Sequence, residues 1–184
     1  AAADGAGVVV SPAVDLTDPG LPPDAELEFV QHAHQLLEAS IWTGSLRRDA
    51  TVGRATLVPS GESVARDGAP VTLAVGDVKS LLLEPVAAVV RARVHGQLGA
   101  EVGAHRLAHR RALLTGDVAP PGPWFDVWEV EDVLPLRPKA VKRRLRELFR
   151  SRVGRVTAPE RLKTRLARSI RAFRAAYELG AGTV

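Results

Sequence analysis

The chain has 184 residues, 46% of them hydrophobic and 25% charged, enough apolar content for one compact domain or a small domain with an accessory layer. It contains no cysteine, which excludes disulfides, thiolate metal sites, iron–sulfur clusters and cysteine nucleophiles, and no run approaches the roughly 20 apolar residues that cross a bilayer. The net charge of +4 hides a strong asymmetry: residues 1–136 carry 10 Lys/Arg against 18 Asp/Glu, whereas residues 137–184 carry 15 against 3, the pattern of a polyanion-binding end on an acidic body.

A chain that begins at Ala1 and holds no methionine is expected to have lost something from its front, and Ala1–Val10 has neither the basic nor the apolar character of a targeting signal. Gly7-Val8-Val9-Val10 is a β-branched run stopped by Pro12, expected as a buried strand entering a loop. After the turn-rich segment Asp18–Asp24, Glu26-Leu27-Glu28-Phe29-Val30 alternates as a half-buried strand does. Leu37–Thr43 and Arg54–Val58 add two more strands, and the three read as a meander. Residues 62–81 form a connector with one short strand at Val71–Val75.

From Pro85 to Leu98, Val86, Val89, Val90 and Val94 recur at helical spacing, and Pro85 suits a first turn. His105–Leu114 reads equally as a short helix or a strand, and Trp124–Val133 alternates as a strand. Arg137–Arg150 is the clearest helix, with Val141, Leu145 and Leu148 on one stripe. A short strand at Val153–Thr157 and a last helix from Pro159 follow.

The order Leu83-Glu84-Pro85, a helix, Leu113–Asp117, Trp128–Leu136, Lys139–Arg150 and Val153–Thr157 resembles the THUMP-like C-terminal domain of class I S-adenosylmethionine-dependent methyltransferases. The likeness covers residues 82–157. Val8–Pro12, Glu26–Val30 and Arg54–Gly61 look like the last strands of the same family's methyltransferase sheet. The implied fold is α+β: a small mixed sheet with helices, preceded by a β-meander at the end of a methyltransferase sheet. The implied division is a β-rich segment at 1–61, a connector at 62–81, a THUMP-like domain at 82–157 and a basic helix at 158–184.

The resemblance implies RNA-modifying ancestry. The family holds its cofactor with a Gly-rich turn after the first strand and an acidic residue ending the second; the chain has no such turn, and after Val156-Thr157 it departs from the family's basic stretch into Ala158-Pro159-Glu160. No catalytic residue, metal ligand or cofactor-binding residue is therefore assigned, and no cofactor is expected. His32 and His34 would share one strand face and His105 and His109 one helix face, but neither pair has the further ligands of a metal site and both are more simply polar surface residues. Asp126, Glu129, Glu131 and Asp132 are more simply a solvated strand face than an acid–base pair. Trp128 is expected in the core, and Trp124 is the candidate for stacking on a base.

Fifteen cations in 48 residues exceed what three local acids neutralise, and the preference for Arg suits phosphate forks. Lys139, Lys142, Arg143, Arg146, Arg150, Arg152, Arg155, Arg161, Lys163, Arg165, Arg168 and Arg171 are the expected RNA-binding residues. The function expected first is a non-catalytic RNA-binding subunit of a ribonucleoprotein such as a bacterial or organellar ribosome. Its acidic body would face protein neighbours in a reducing interior, the bacterial cytoplasm or mitochondrial matrix, with no membrane partner. The alternatives are the C-terminal part of an active RNA methyltransferase, or a module that binds an acidic protein.

Overall fold

A computed structural model describes residues 4–48, 52–66, 68–135 and 137–153. The chain divides into two units, Ala1–Glu131 and Asp132–Val184. In the first unit, strands β1 (Gly5–Val10), β2 (Glu26–His32), β3 (Gln35–Gly44), β4 (Gly53–Val58) and β5 (Ser63–Ala65) form a sheet in the order β1-β3-β2-β4-β5. β2 turns into β3 through Ala33, whose φ of 51° gives the left-handed backbone of a tight reversal. β3 lies antiparallel to both β1 and β2, and β4 lies parallel to β2 with Leu27 opposite Gly53 and His32 opposite Val58.

The α+β class therefore holds, with one difference inside it. The third strand of the expected meander does not follow β3 but crosses to the far side of β2. The edge of β3 that a meander would use is already taken by β1, with Gly7 under the ring of Trp42.

A second, antiparallel sheet has the order β7-β8-β6-β9, built from β6 (Leu81–Pro85), β7 (His105–Arg106), β8 (Leu114–Gly116) and β9 (Phe125–Glu129). Between β6 and β7 lie α1 (Ala87–Arg91) and α2 (His95–Glu101). The helical spacing from Pro85 to Leu98 is real, but two short helices carry it, because Arg93 sits at φ 59° and breaks the run. Close packing fixes that break. A Cβ on Gly53 would come within 2.7 Å of the Ala92 carbonyl, and one on Gly96 would run into the Val71 carbonyl. Val71–Val75 is not a strand; Val75 makes a single bridge to Arg106.

One apolar core serves both sheets. Leu27, Phe29, Ala39 and Ala55 of the first meet Ala88, Val89, Ala92 and Val94 of the helical segment and Leu83 and Leu114 of the second. Leu27 and Phe29 are essentially sealed from water, each side chain contributing about 1.5–3 kcal/mol by burial.

The second unit is described at 132–135 and 137–153. Its helix α3 (Pro138–Val153) begins with a proline suited to a first turn, and Arg144 pairs with Asp132 at 2.9 Å. Among the described residues no helix is long and apolar enough to cross a membrane.

Candidate functional site

Because β2 and β4 are parallel, their carboxyl ends open side by side, the end of a sheet at which α/β proteins place ligands. A cleft of about 420 Å³ lies there. Leu57, Val58, Pro59, Val86 and Pro123 give it apolar walls; His34, Ser60, Glu62 and Asp126 supply its polar groups. His34 Nδ1 stands 3.8 Å from Asp126 Oδ2, and both side chains are about half exposed. A flat apolar group edged with hydrogen-bond donors fits such a lining, with the histidine–carboxylate pair able to orient it.

The hairpin tip that carries His34 is tied to the helical segment by Gln31. Its Nε2 donates to the Ala33 carbonyl at 2.7 Å, and its Oε1 accepts the Ala88 N–H of α1 at 2.9 Å. At 2% exposure, this amide satisfies a helix-start donor that water cannot reach.

Glu26 and Glu28, expected on the wet face of β2, are buried. Arg54 Nε donates to Glu26 Oε1 at 2.6 Å and the Arg48 amide to Glu26 Oε2 at 2.8 Å. Thr56 Oγ1 and Trp42 Nε1 donate to the two oxygens of Glu28 at 2.6 and 2.9 Å. Those partners sit on β3, on β4 and, for Arg48, in the segment between them, so the alternation in β2 gave the strand correctly but not the burial of its second face.

Among the described residues, Asp15, Asp117, His95 and Arg66 titrate away from their ordinary values. Hydrogen bonds from the Thr17 side chain and backbone hold Asp15 low, with the charges of Arg93 and Arg91 assisting against a small burial effect. Ser80 does the same for Asp117. Burial lowers His95, the nearby Arg106 charge adds to this, and a backbone hydrogen bond with Val89 opposes it.

Of the expected RNA-binding residues, Lys139, Arg143 and Arg146 are exposed on α3 at positions that share one helix face. Lys142, Arg150 and Arg152 belong to the same helix. Arg155, Arg161, Lys163, Arg165, Arg168 and Arg171 lie outside the described residues, as do the strand expected beyond Val153 and the last helix.

Trp124, the expected stacking candidate, is buried and Trp128, expected in the core, is half-buried, since the chain enters β9 with Trp124 and Phe125 already packed on the core. His32 ends β2 while His34 lies in the turn, and His105 and His109 fall on a strand and a turn, so neither pair shares a face. No group of three metal-ligating side chains occurs among the described residues.

The described residues do not fit a nucleoside cofactor such as S-adenosylmethionine. None of the strands is followed by a glycine-rich turn that opens a helix, and β6 enters α1 through Pro85 and Val86.

No family model matches the chain. Two proteins of Mycobacterium tuberculosis, from strains CDC 1551 and H37Rv, each named an uncharacterized S-adenosylmethionine-dependent methyltransferase, are 32% identical to it over 120 residues. The match takes in 64% of this chain and 33% of each relative, so the chain spans about a third of their length. A crystal structure from Porphyromonas gingivalis W83, of a protein provisionally named a methyltransferase, superposes with a TM-score of 0.61 at 15% identity, over 79% of this chain and 39% of that one.

These matches overturn the expectation of a chain that is no enzyme, because the relatives carry the names of enzymes. The missing Gly-rich turn loses its weight against activity in a chain that spans so small a share of them. The matches back the alternative, a part of a methyltransferase, better than the reading as a structural ribonucleoprotein subunit. The fold of this chain is methyltransferase-like, and the relatives it matches are named as S-adenosylmethionine-dependent methyltransferases.

Proposed function

We propose that this chain is the C-terminal part of an S-adenosylmethionine-dependent methyltransferase that acts on RNA, with residues 82–157 serving as a THUMP-like substrate module. The observation that carries the reading is the open edge of β1. This strand pairs only with β3 among the described residues, has no charged residue or proline, and exposes Val8 by 51% and Val9 by 65% on opposite faces. Edge strands are normally blunted with charge, proline or short length, and a strand apolar on both faces belongs inside a larger, covered sheet. Strands of a cofactor-binding part, continuing the sheet past β1, meet that need and supply the cradle that the described residues lack. A reducing bacterial cytoplasm suits a cysteine-free chain with mycobacterial relatives.

The RNA substrate is supported by the exposed Lys139, Arg143 and Arg146 on one face of α3. Disrupting the gene and profiling the methylated nucleosides of total RNA by mass spectrometry tests the whole reading. One methylated nucleoside should disappear; an unchanged RNA profile refutes the RNA substrate. Within the chain, Arg143→Glu with Arg146→Glu should weaken binding to single-stranded RNA and flatten the plot of log affinity against log salt by about 1.4, or about 0.7 per lost phosphate contact. An unaltered slope would remove α3 from the RNA contact.

A further inference from the structure

At the end of the first sheet opposite the cleft, where β4 begins and α1 ends, lie two arginines, of which Arg66 has no balancing acid among the described residues. Arg66 follows β5, and its backbone N–H donates to the Gly53 carbonyl at 2.8 Å, prolonging the β4–β5 pairing. Gly53 presses on the Ala92 carbonyl, and Arg93 is the next residue, so Arg66 and Arg93 flank one point of backbone contact.

Arg66 is only 9% exposed. Its Nε has no hydrogen-bond partner, and no described carboxylate forms an ion pair with it. A guanidinium withdrawn from water is ordinarily met by a carboxylate or another acceptor, since burying an unpaired charge is among the costliest arrangements in a fold. The neighbouring arginine is also held at a cost. Arg93 takes the left-handed backbone at φ 59°, a conformation that L side chains seldom adopt and that recurs at ligand clamps. Asp15, the acid that Arg93 Nη2 reaches at 3.0 Å, already accepts the Thr17 amide and hydroxyl at 2.8 and 2.6 Å. The surroundings agree: burial first, and then the Arg93 charge, lower the affinity of Arg66 for its proton.

We propose that Arg66 and Arg93 form a binding site for a phosphate oxyanion, which supplies the charge the fold withholds. A guanidinium fork matches the oxygens of a phosphoryl group, and two forks around one anion relieve their mutual repulsion. The anion is a backbone phosphodiester of the RNA substrate; this part alone rests on the methyltransferase reading. Free inorganic phosphate is the other source of the same chemistry.

The test follows the side-chain Nε–Hε NMR signals of Arg66 and Arg93 in the intact chain during titration with inorganic phosphate, with chloride at equal ionic strength as control. Phosphate should move the Arg66 signal along a saturable curve that chloride does not reproduce. At phosphate ten times its dissociation constant, the folding equilibrium constant should rise about tenfold. Arg66→Met should abolish that gain and also raise the thermal midpoint of the phosphate-free protein, because the uncompensated charge is gone. Arg93→Gly, which relieves the backbone while leaving Arg66 in place, should weaken the phosphate response without lowering the midpoint, and it serves if R66M does not fold.

A short oligouridylate that displaces phosphate supports the phosphodiester. Phosphate binding that the oligonucleotide leaves untouched supports the anion site and overturns RNA as its source. A non-saturable Arg66 shift, or an R66M protein that is less stable yet keeps its phosphate response, overturns the site itself. Failure here with an RNA methylation lost on gene disruption leaves the enzyme reading standing, so the two fall separately.

Discussion

Gln31→Leu removes the amide that joins the β2–β3 hairpin tip to α1 while keeping nearly the same volume. Ala88 is fully buried, so its N–H would lose its acceptor at 2.9 Å with no water to replace it, a cost of about 1–3 kcal/mol. The Ala33 carbonyl, in an exposed turn, would lose the 2.7 Å bond but regain water, for about 1 kcal/mol. Leucine at a site 2% exposed returns about 1 kcal/mol by its own burial. The expected net loss is about 2 kcal/mol, read as a lower urea midpoint at constant slope. Hydrogen exchange should show the Ala88 amide losing protection before its neighbours in the core. A variant within about 0.5 kcal/mol of the parent, or an Ala88 amide as protected as before, would refute the accounting.

His95 is held below its ordinary 6.5, so between its folded value and pH 6.5 the unfolded chain binds the extra proton. Stability is complete above about pH 6.5 and declines as the pH falls through that window; His95→Gln should flatten the decline in urea midpoints measured from pH 7.5 to 5, and an unchanged profile would show that His95 does not set it. Gly96→Ala drives a methyl group into the Val71 carbonyl, which cannot yield without moving its segment. A loss of at least about 2 kcal/mol is expected by urea unfolding, and a neutral variant would mean that α2 and Val71 pack less closely than described.

How far the sequence disclosed this protein depends on the range over which each feature is set. Strand β1 was visible in three consecutive valines, β2 in its alternation and α3 in its leucine spacing, all properties of a few adjacent residues. The break between α1 and α2 was invisible, because the run from Ala87 to Leu98 is a sound helix by itself. Only the approach of Gly53, 39 residues away from Ala92, leaves no room to continue it. The burial of Glu26 and Glu28 depends likewise on Arg54, Thr56 and Trp42 from other strands.

The candidate site was hardest of all. His34 and Asp126 are separated by 92 residues, and each looked like part of a different, weaker motif. Arg66 and Arg93 drew no notice beside the crowded cations after Arg137. What distinguishes Arg66 is burial with an unpartnered Nε, and what distinguishes Arg93 is its left-handed backbone; both are properties of the fold rather than of composition.

The placement of β3 between β1 and β2 also imposes an order of assembly on a chain made from its N-terminus. Of the described strands β1 leaves the ribosome first, yet its only partner among them ends at Gly44, 34 residues later. At about 5–20 residues per second, that is a wait of about 2–7 s. β2 and β3 can close locally in microseconds, so the hairpin is the template and β1 the late arrival. Throughout the delay the edge of β1 that β3 will take is an uncharged apolar edge. The glycines at positions 5 and 7, which weaken β1 as an independent strand, keep it from adopting the wrong neighbour before β3 is ready.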